Sequence, residues 1–312
     1  MLPKVQYNIP HIRQRFHWDC GIACILMLLS EEDRKKFLKF FSQICAEEGF
    51  GHNTWTIDLC YLLQRYNIKH CMYTVRQTAN MTSLIKLDGN KAMEAKRVEK
   101  RFTNAKLHNI KIKKDALSTR DLVSHILCTG PAIVLVDAAL LSCDWCKQNR
   151  LSSEIRRIFG GSYRGHYILI VGWSGKLLYK DPARDPPLCV TSAARLNTAR
   201  LVSGTDCDVI LLYENYTNNL KGEGGYFETK KPWEIIDMQE GKMYYGDKGF
   251  SSRDELRAYI QALPPAELGL GSYPRPVLLR GKIPRLVLMA ENGRQLSHHY
   301  LSGVLFNNVE YL

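Results

Sequence analysis

The stretch from Gly21 to Leu29 is apolar on every side of a helix. A surface helix keeps a polar face, so a segment without one has to lie inside, with other elements packed round it. The sequence therefore predicts a central helix, broken where Ser30 to Lys36 turns acidic and basic. Cys20 stands at the entry to that helix. Backbone N–H groups there have no intrahelical partner and the macrodipole is positive, which favours a thiolate. Gln14 lies six residues earlier, in Gln14-Arg15-Phe16-His17-Trp18-Asp19-Cys20. From that entry loop its side-chain N–H can face the oxygen that turns negative when a thiolate adds to a carbonyl. An isolated free cysteine is most often a small buried hydrophobe. The residues downstream tip the reading toward a nucleophile.

Further helices are predicted from Thr54 or Thr56, with a threonine N-cap, to Tyr66 and an ending at Asn67, over residues 92–108, and from Ser118 with Asp121 to Gly130. A short strand is expected at Ile110 to Ile112. From Pro131 the pattern changes to apolar runs of strand length: Ala132 to Asp137, Tyr167 to Trp173, Leu177 to Tyr179 and Val209 to Tyr213. Continuous apolar strands belong to a sheet covered on both sides. Helices first and strands later give an α+β domain, 1–214, with the nucleophile helix packed on an antiparallel sheet. The Asn- and Gly-rich stretch within 215–225 reads as a linker. Residues 226–312 form a small C-terminal module, with a capping box at Ser252 and Glu255, a helix to Leu263 stopped by Pro264-Pro265, and short strands at Val277 to Leu279 and Leu286 to Met289.

Two strand-associated residues complete the site. His166 heads a buried strand in Gly165-His166-Tyr167, where imidazole adds nothing to packing, and Asp181 follows the next strand in Lys180-Asp181-Pro182-Ala183. A hairpin turned at Ser174-Gly175 would set Asp181 beside His166. The carboxylate then fixes the tautomer and supports the imidazolium, which in turn holds Cys20 as thiolate. Gln14, Cys20, His166 and Asp181 in this order suit papain-like geometry, with the roles of oxyanion donor, nucleophile, acid/base and orienter.

The chain carries a formal net charge of +12, and nearly all of it, +11, falls before residue 215. It concentrates at 86–114, including Lys96, Arg97, Lys100, Arg101, Lys106, Lys111, Lys113 and Lys114. Such a run is a solvated face or a seat for a nucleotide or acidic partner. No nucleic-acid fold signature accompanies it. The N-terminus has no signal-peptide pattern, and the longest apolar run is too short to span a bilayer, so no secretion or membrane partner is expected. Ten scattered cysteines suit reduced thiols and a cytoplasmic or nuclear setting.

The blocks Gln14 to Cys24, Trp55-Thr56-Ile57-Asp58-Leu59, Gly165-His166-Tyr167, Asp181-Pro182-Ala183 and Gly204-Thr205-Asp206 closely resemble the guanylyl cyclase domain-containing family, over about residues 5–214. They also resemble, more distantly, the papain-like peptidases that process bacteriocin leaders. The first resemblance implies a cyclase making cyclic GMP from GTP with Mg or Mn; the second implies a papain-like fold. The residues do not supply a cyclase site: Gly160, Gly161 and Gly165 miss phosphate-loop spacing, and Asp206 and Asp208 read as a solvated loop end. The expected activity is thiol hydrolysis of a peptide or related acyl carbonyl, without a cofactor. The alternatives are the cyclase and an inactive interaction domain. Cys143-Asp144-Trp145-Cys146 lacks the second pair of a zinc site, although Cys128 or Cys189 could join it in the fold. It is read as loop thiols, and no metal site is assigned. His108 and His298-His299 have no spaced partners.

Overall fold

The apolar segment is helix α1, Cys20–Leu28, and every one of its residues is buried. The computed structural model describes residues 4–50, 53–76, 89–146, 153, 163–185, 187–213 and 253–269, and as strand backbone 238–239, 242–245, 248–250, 275–279, 285–289 and 295–300. In chain order the elements before residue 213 are β1 (Val5–Gln6), α1, α2 (Glu31–Lys39), α3 (Phe41–Glu48), α4 (Thr56–Arg65), β2 (His70–Tyr73), α5 (Gly89–Asn104), β3 (Lys111–Lys113), α6 (Thr119–Cys128), β4 (Ala132–Asp137), β5 (Gly165–Trp173), β6 (Leu177–Lys180), β7 (Cys189–Thr191), α7 (Ala193–Arg200) and β8 (Val209–Leu212). Helix α8, Arg253–Ala262, follows.

The apolar helix breaks where the sequence predicts, α1 ending at Leu28, and the charged stretch that follows starts a new helix. Ser30 caps α2 by accepting the Asp33 N–H at 3.0 Å. Glu31 with Lys35 and Glu32 with Lys36 pair along its exposed side. Phe37 is its one buried residue and anchors it to the core. The charges are thus the solvent face of an amphipathic helix. In α4 the cap differs from expectation. Trp55 holds the N-cap position, and the N3 residue Asp58 reaches back to its N–H at 3.1 Å. Asn67, at φ +55°, ends that helix in the left-handed region, as the sequence predicts. Ser118 caps α6 through the Asp121 N–H at 3.0 Å, again as expected.

Eight strands form one sheet in the order β3-β2-β8-β4-β5-β6-β7, with β1 also paired to β5. The sheet is mixed rather than antiparallel, because β2 and β3 run parallel on either side of the α5 crossover. Every residue from His166 to Trp173 is buried, so both faces of β5 are covered, and α1 and α6 both pack on it. The fold is α+β, with α1 fixed between α4 and the sheet. Helix α8 lies on α6: Arg257 donates to Thr129 Oγ1 at 2.8 Å and Gln261 to Asp121 Oδ1 at 2.7 Å. Strands Arg275–Leu279, Arg285–Met289 and Gln295–Tyr300 form an antiparallel sheet, and the first two contain the strands expected there. The expected linker, and Ser252 of the expected capping box, lie outside the described residues. Among the described residues no helix is long and apolar enough to cross a membrane.

Candidate active site

The hairpin register explains why His166 and Asp181 meet. Leu169 of β5 pairs with Lys180, the last residue of β6, so Asp181, which follows, falls diagonally across from His166. His166 Nε2 lies 2.7 Å from Asp181 Oδ1. The Ala183 N–H donates to the same carboxylate oxygen at 2.9 Å. Both side chains are buried. Burial acts against charge on each residue, and the pair overcomes it. The imidazole pKa is raised to about 10, because the hydrogen bonds and charges of Asp181 and Cys20 outweigh desolvation. The Asp181 carboxyl is correspondingly held below its ordinary range by His166 and the Ala183 N–H, against the effect of burial.

Cys20 is the first residue of α1, 6% exposed, and close enough to His166 for its sulfur to act on the imidazole. With Nε2 taken by Asp181, Nδ1 is the nitrogen left to the thiol. The structure thus brings together three residues that the sequence sets 146 and 15 positions apart. Gly21 lets α1 come this close: a Cβ there would sit 2.7 Å from a Leu59 methyl and 3.0 Å from the Tyr167 ring. One turn on, Cys24 is fully enclosed and its thiol is pushed well above the ordinary range, first by burial and then by Cys20 and Asp181. It is a core thiol beside the site.

Gln14 is tied to the same corner through its backbone N–H, which donates to the Pro182 carbonyl at 3.0 Å. Its side-chain Nε2 donates to the Phe16 carbonyl at 2.7 Å, and its Oε1 is buried without a partner. The loop between Gln14 and Cys20 is shaped by Asp19, whose carboxylate accepts the N–H groups of Arg15 at 3.1 Å and Phe16 at 3.0 Å. That role was missed in the sequence, where Asp19 stands as one more polar residue of the loop before α1.

A second polar cluster borders Cys20. Thr56 Oγ1 bonds Tyr167 Oη at 2.8 Å and also donates to Asp208 Oδ2. Asp208 is not on a solvated loop end as expected. It is buried, and burial pushes its carboxyl up to about 7 despite the threonine bonds. Asp206 sits in a positive-φ turn and pairs with Arg76 at 3.2 Å.

The basic run is only partly a solvated face. Arg97 and Arg101 turn inward onto Asp58, which is fully buried, and Arg101 also meets Glu48 at 2.8 Å. Lys96, Lys100, Lys106, Lys111, Lys113 and Lys114 stay exposed, whereas Lys86 lies outside the described residues. His108 packs at a tilt against Tyr61 with ring centres 4.9 Å apart. All ten cysteines are free thiols. The Cys143-Asp144-Trp145-Cys146 loop has gained a third thiol, Cys189, with the three sulfurs within 4.8 Å of one another. Cys128, the other residue considered for that group, is not among them.

The fold and site define an α+β protein with a hydrogen-bonded imidazole and carboxylate beside a thiol at a helix N-terminus. A family model described as guanylylate cyclase matches residues 9–212, and the chain belongs to that family. It is 30% identical over 227 residues to Guanylyl cyclase 1 of Arabidopsis thaliana, covering 70% of this chain and 79% of that protein. It is also 40% identical over 97 residues to the poxin of Bombyx mori, covering 30% of this chain but 36% of that protein. A solved structure of Danaus plexippus poxin, described as a cGAMP nuclease, shares 42% identity over 47% of this chain and 55% of its own. The TM-score of that superposition is 0.12, too low to bear on the fold.

Proposed function

We propose that the chain is a thiol hydrolase of papain-like geometry in which Cys20 attacks, His166 moves the proton, Asp181 orients the imidazole and Gln14 supports the oxyanion. The observation that carries this reading is the His166 imidazole held between Asp181 Oδ1 at 2.7 Å and the Cys20 thiol. In the attacking state the proton of the Cys20 thiol has passed to His166. The sulfur adds to an acyl carbonyl of a peptide or related substrate, and the oxygen that becomes negative takes an N–H from Gln14, whose amide has one spare after the bond to Phe16. His166 then protonates the leaving group. Water, deprotonated by the same imidazole, releases the acyl group and restores the thiol.

A second reading keeps the hydrolase but changes the bond. The likeness to the Bombyx mori poxin, together with a Danaus plexippus poxin described as a cGAMP nuclease, favours the phosphodiester of a cyclic nucleotide as substrate. The family description and the Arabidopsis relative favour a third, cyclic GMP formation from GTP. The exposed lysines between 96 and 114 suit either nucleotide.

One set of assays separates the three. Iodoacetamide at neutral pH should alkylate Cys20 well before the other nine thiols, and His166→Ala should remove that advantage; equal rates across the thiols would sink the thiol hydrolase. Linear product from a cyclic dinucleotide, abolished by Cys20→Ala, would move the same machinery to phosphorus. Cyclic GMP from GTP with Mg or Mn, unchanged in Cys20→Ala, would establish the cyclase and leave the triad without a catalytic role.

A further inference from the structure

Cys143 and Cys146 sit in a tight loop beside the edge of the sheet, and Cys189 opens β7, the edge strand itself. The loop is fastened to that strand at two points: the Asp144 N–H donates to the Val190 carbonyl at 2.8 Å, and the Val190 N–H donates to Cys143 Sγ at 3.4 Å. The Cys146 N–H donates to the same sulfur, also at 3.4 Å. Two backbone donors on one sulfur stabilise a thiolate rather than a thiol, since a charged acceptor gains about twice as much from each bond. Asp144 secures the loop from outside by pairing with Lys176 at 2.6 Å and with Arg195. Those cations also offset the negative charge that clustered thiolates would bring.

From this arrangement we infer that Cys143, Cys146 and Cys189 bind one zinc ion, with a water in the fourth position. Sulfurs bound to tetrahedral zinc at about 2.3 Å stand about 3.8 Å apart, so a triangle with sides of at most 4.8 Å closes on the ion by side-chain rotation alone. The soft, all-thiolate donor set selects zinc over magnesium, manganese or calcium. The Val190 and Cys146 N–H groups then serve as the outer shell that orients the ligand sulfur. The fourth position has room. The three cysteines line a cavity of about 120 Å³, ample for several waters, whose remaining walls include His166, Tyr179, Asp181 and Arg184. The metal would therefore tie the 143–146 loop to β7 and share a cavity with the His166–Asp181 pair. Its existence does not depend on which reaction that pair serves.

The rival state of a Cys-x-x-Cys loop is a disulfide, which would consume two thiols and leave Cys189 odd. The full chain, purified under a phosphine reductant and gel-filtered, should carry about one zinc per molecule by elemental analysis. Cys143→Ser and Cys189→Ser should lose it, and Cys207→Ser should keep it. If the serine variants fail to fold, the wild-type protein still decides: replacing its metal with cobalt(II) should produce the near-ultraviolet sulfur-to-metal band and the strong visible bands of a tetrahedral thiolate site. A chain without bound zinc, a different metal in its place, zinc retained by both serine variants, or a Cys143–Cys146 disulfide in non-reduced peptides would each overturn the assignment.

Discussion

His166 Nε2 and Asp181 Oδ1 stand 2.7 Å apart in a buried corner, and this contact, with the Cys20 thiol on the other side of the ring, raises the imidazole pKa to about 10. The unfolded chain releases the same proton near pH 6.5. Between those values the folded protein holds a proton that the unfolded one has lost. The stabilisation is complete below about 6.5 and disappears as the pH rises through about 10. Urea unfolding from pH 7 to 9.5 should therefore show the wild type losing stability more steeply than His166→Ala. Parallel curves would mean that the imidazole is neutral in the fold.

Asp208 works in the opposite sense to the usual carboxylate, because burial pushes it up to about 7. The folded chain keeps this proton from about pH 4 to about pH 7 while the unfolded chain gives it up, so stability falls as pH rises across that window. Asp208→Asn removes the ionisable group and keeps an oxygen for Thr56. We expect its Tm to exceed that of the wild type by about 3 °C at pH 8 and to show no gain at pH 5. A loss at pH 8 would show that the charged form is the one the Thr56–Tyr167 cluster is built to hold.

The parts of this fold that could be read from the sequence are those decided locally. The all-round apolar stretch of α1, the runs of β4, β5 and β8, and the Ser118 cap of α6 each specify themselves within a few residues. The β5–β6 hairpin extends that reach, and its Gly175 turn, at φ +75°, is what allowed Asp181 to be matched to His166. What could not be read depends on who lies opposite. Strand β7 is three residues long and counts as a strand only because β6 pairs with it. Its Cys189 could meet Cys143 only through that pairing, so the third thiol stayed one of two candidates. Ser30 to Lys36 marked the end of α1 but not the helix it starts, because Phe37, the residue that anchors α2, comes after the charges. Asp208 looked solvated because its neighbours are polar, yet β8 carries it inside.

Asp58 shows how a basic run can be misread from composition. Its carboxylate is fully buried beneath Arg97 and Arg101. Removing one partner of such a group leaves uncompensated charge in the interior, so Asp58→Ala should cost about 3–5 kcal/mol in chemical denaturation. Lys100→Ala, from the helix of Arg97 and Arg101 but solvent-facing, should stay within about 0.5 kcal/mol. Comparable losses would place Lys100 in a contact that its exposure does not suggest.

Two glycines of one hairpin should behave very differently. A Cβ on Gly172 would collide with the Val5 carbonyl, the backbone of β1, which has nowhere to retreat. Gly172→Ala should therefore cost about 2–4 kcal/mol and expose the amides of β1 to hydrogen exchange. At Gly175 nothing lies within 4 Å of the added methyl, and only the positive φ resists it. Gly175→Ala should cost about 1 kcal/mol and leave β1 protected. Similar costs at both sites would mean that β1 is not held against β5 in solution.

Gln14 gives the test that separates a thiol that is merely reactive from a site that turns over. Alkylation by iodoacetamide develops no oxyanion, so Gln14→Ala should leave the Cys20 alkylation rate within about twofold of wild type, whereas His166→Ala lowers it sharply. Acyl transfer does develop one. On any acyl substrate the protein accepts, Gln14→Ala should lower kcat by about 10²–10³ with little change in KM, the signature of a donor that acts only in the transition state. Its backbone bond to Pro182 is made by the main chain and survives the substitution, so a slower alkylation would instead reveal a Gln14 side chain that positions the loop around Cys20.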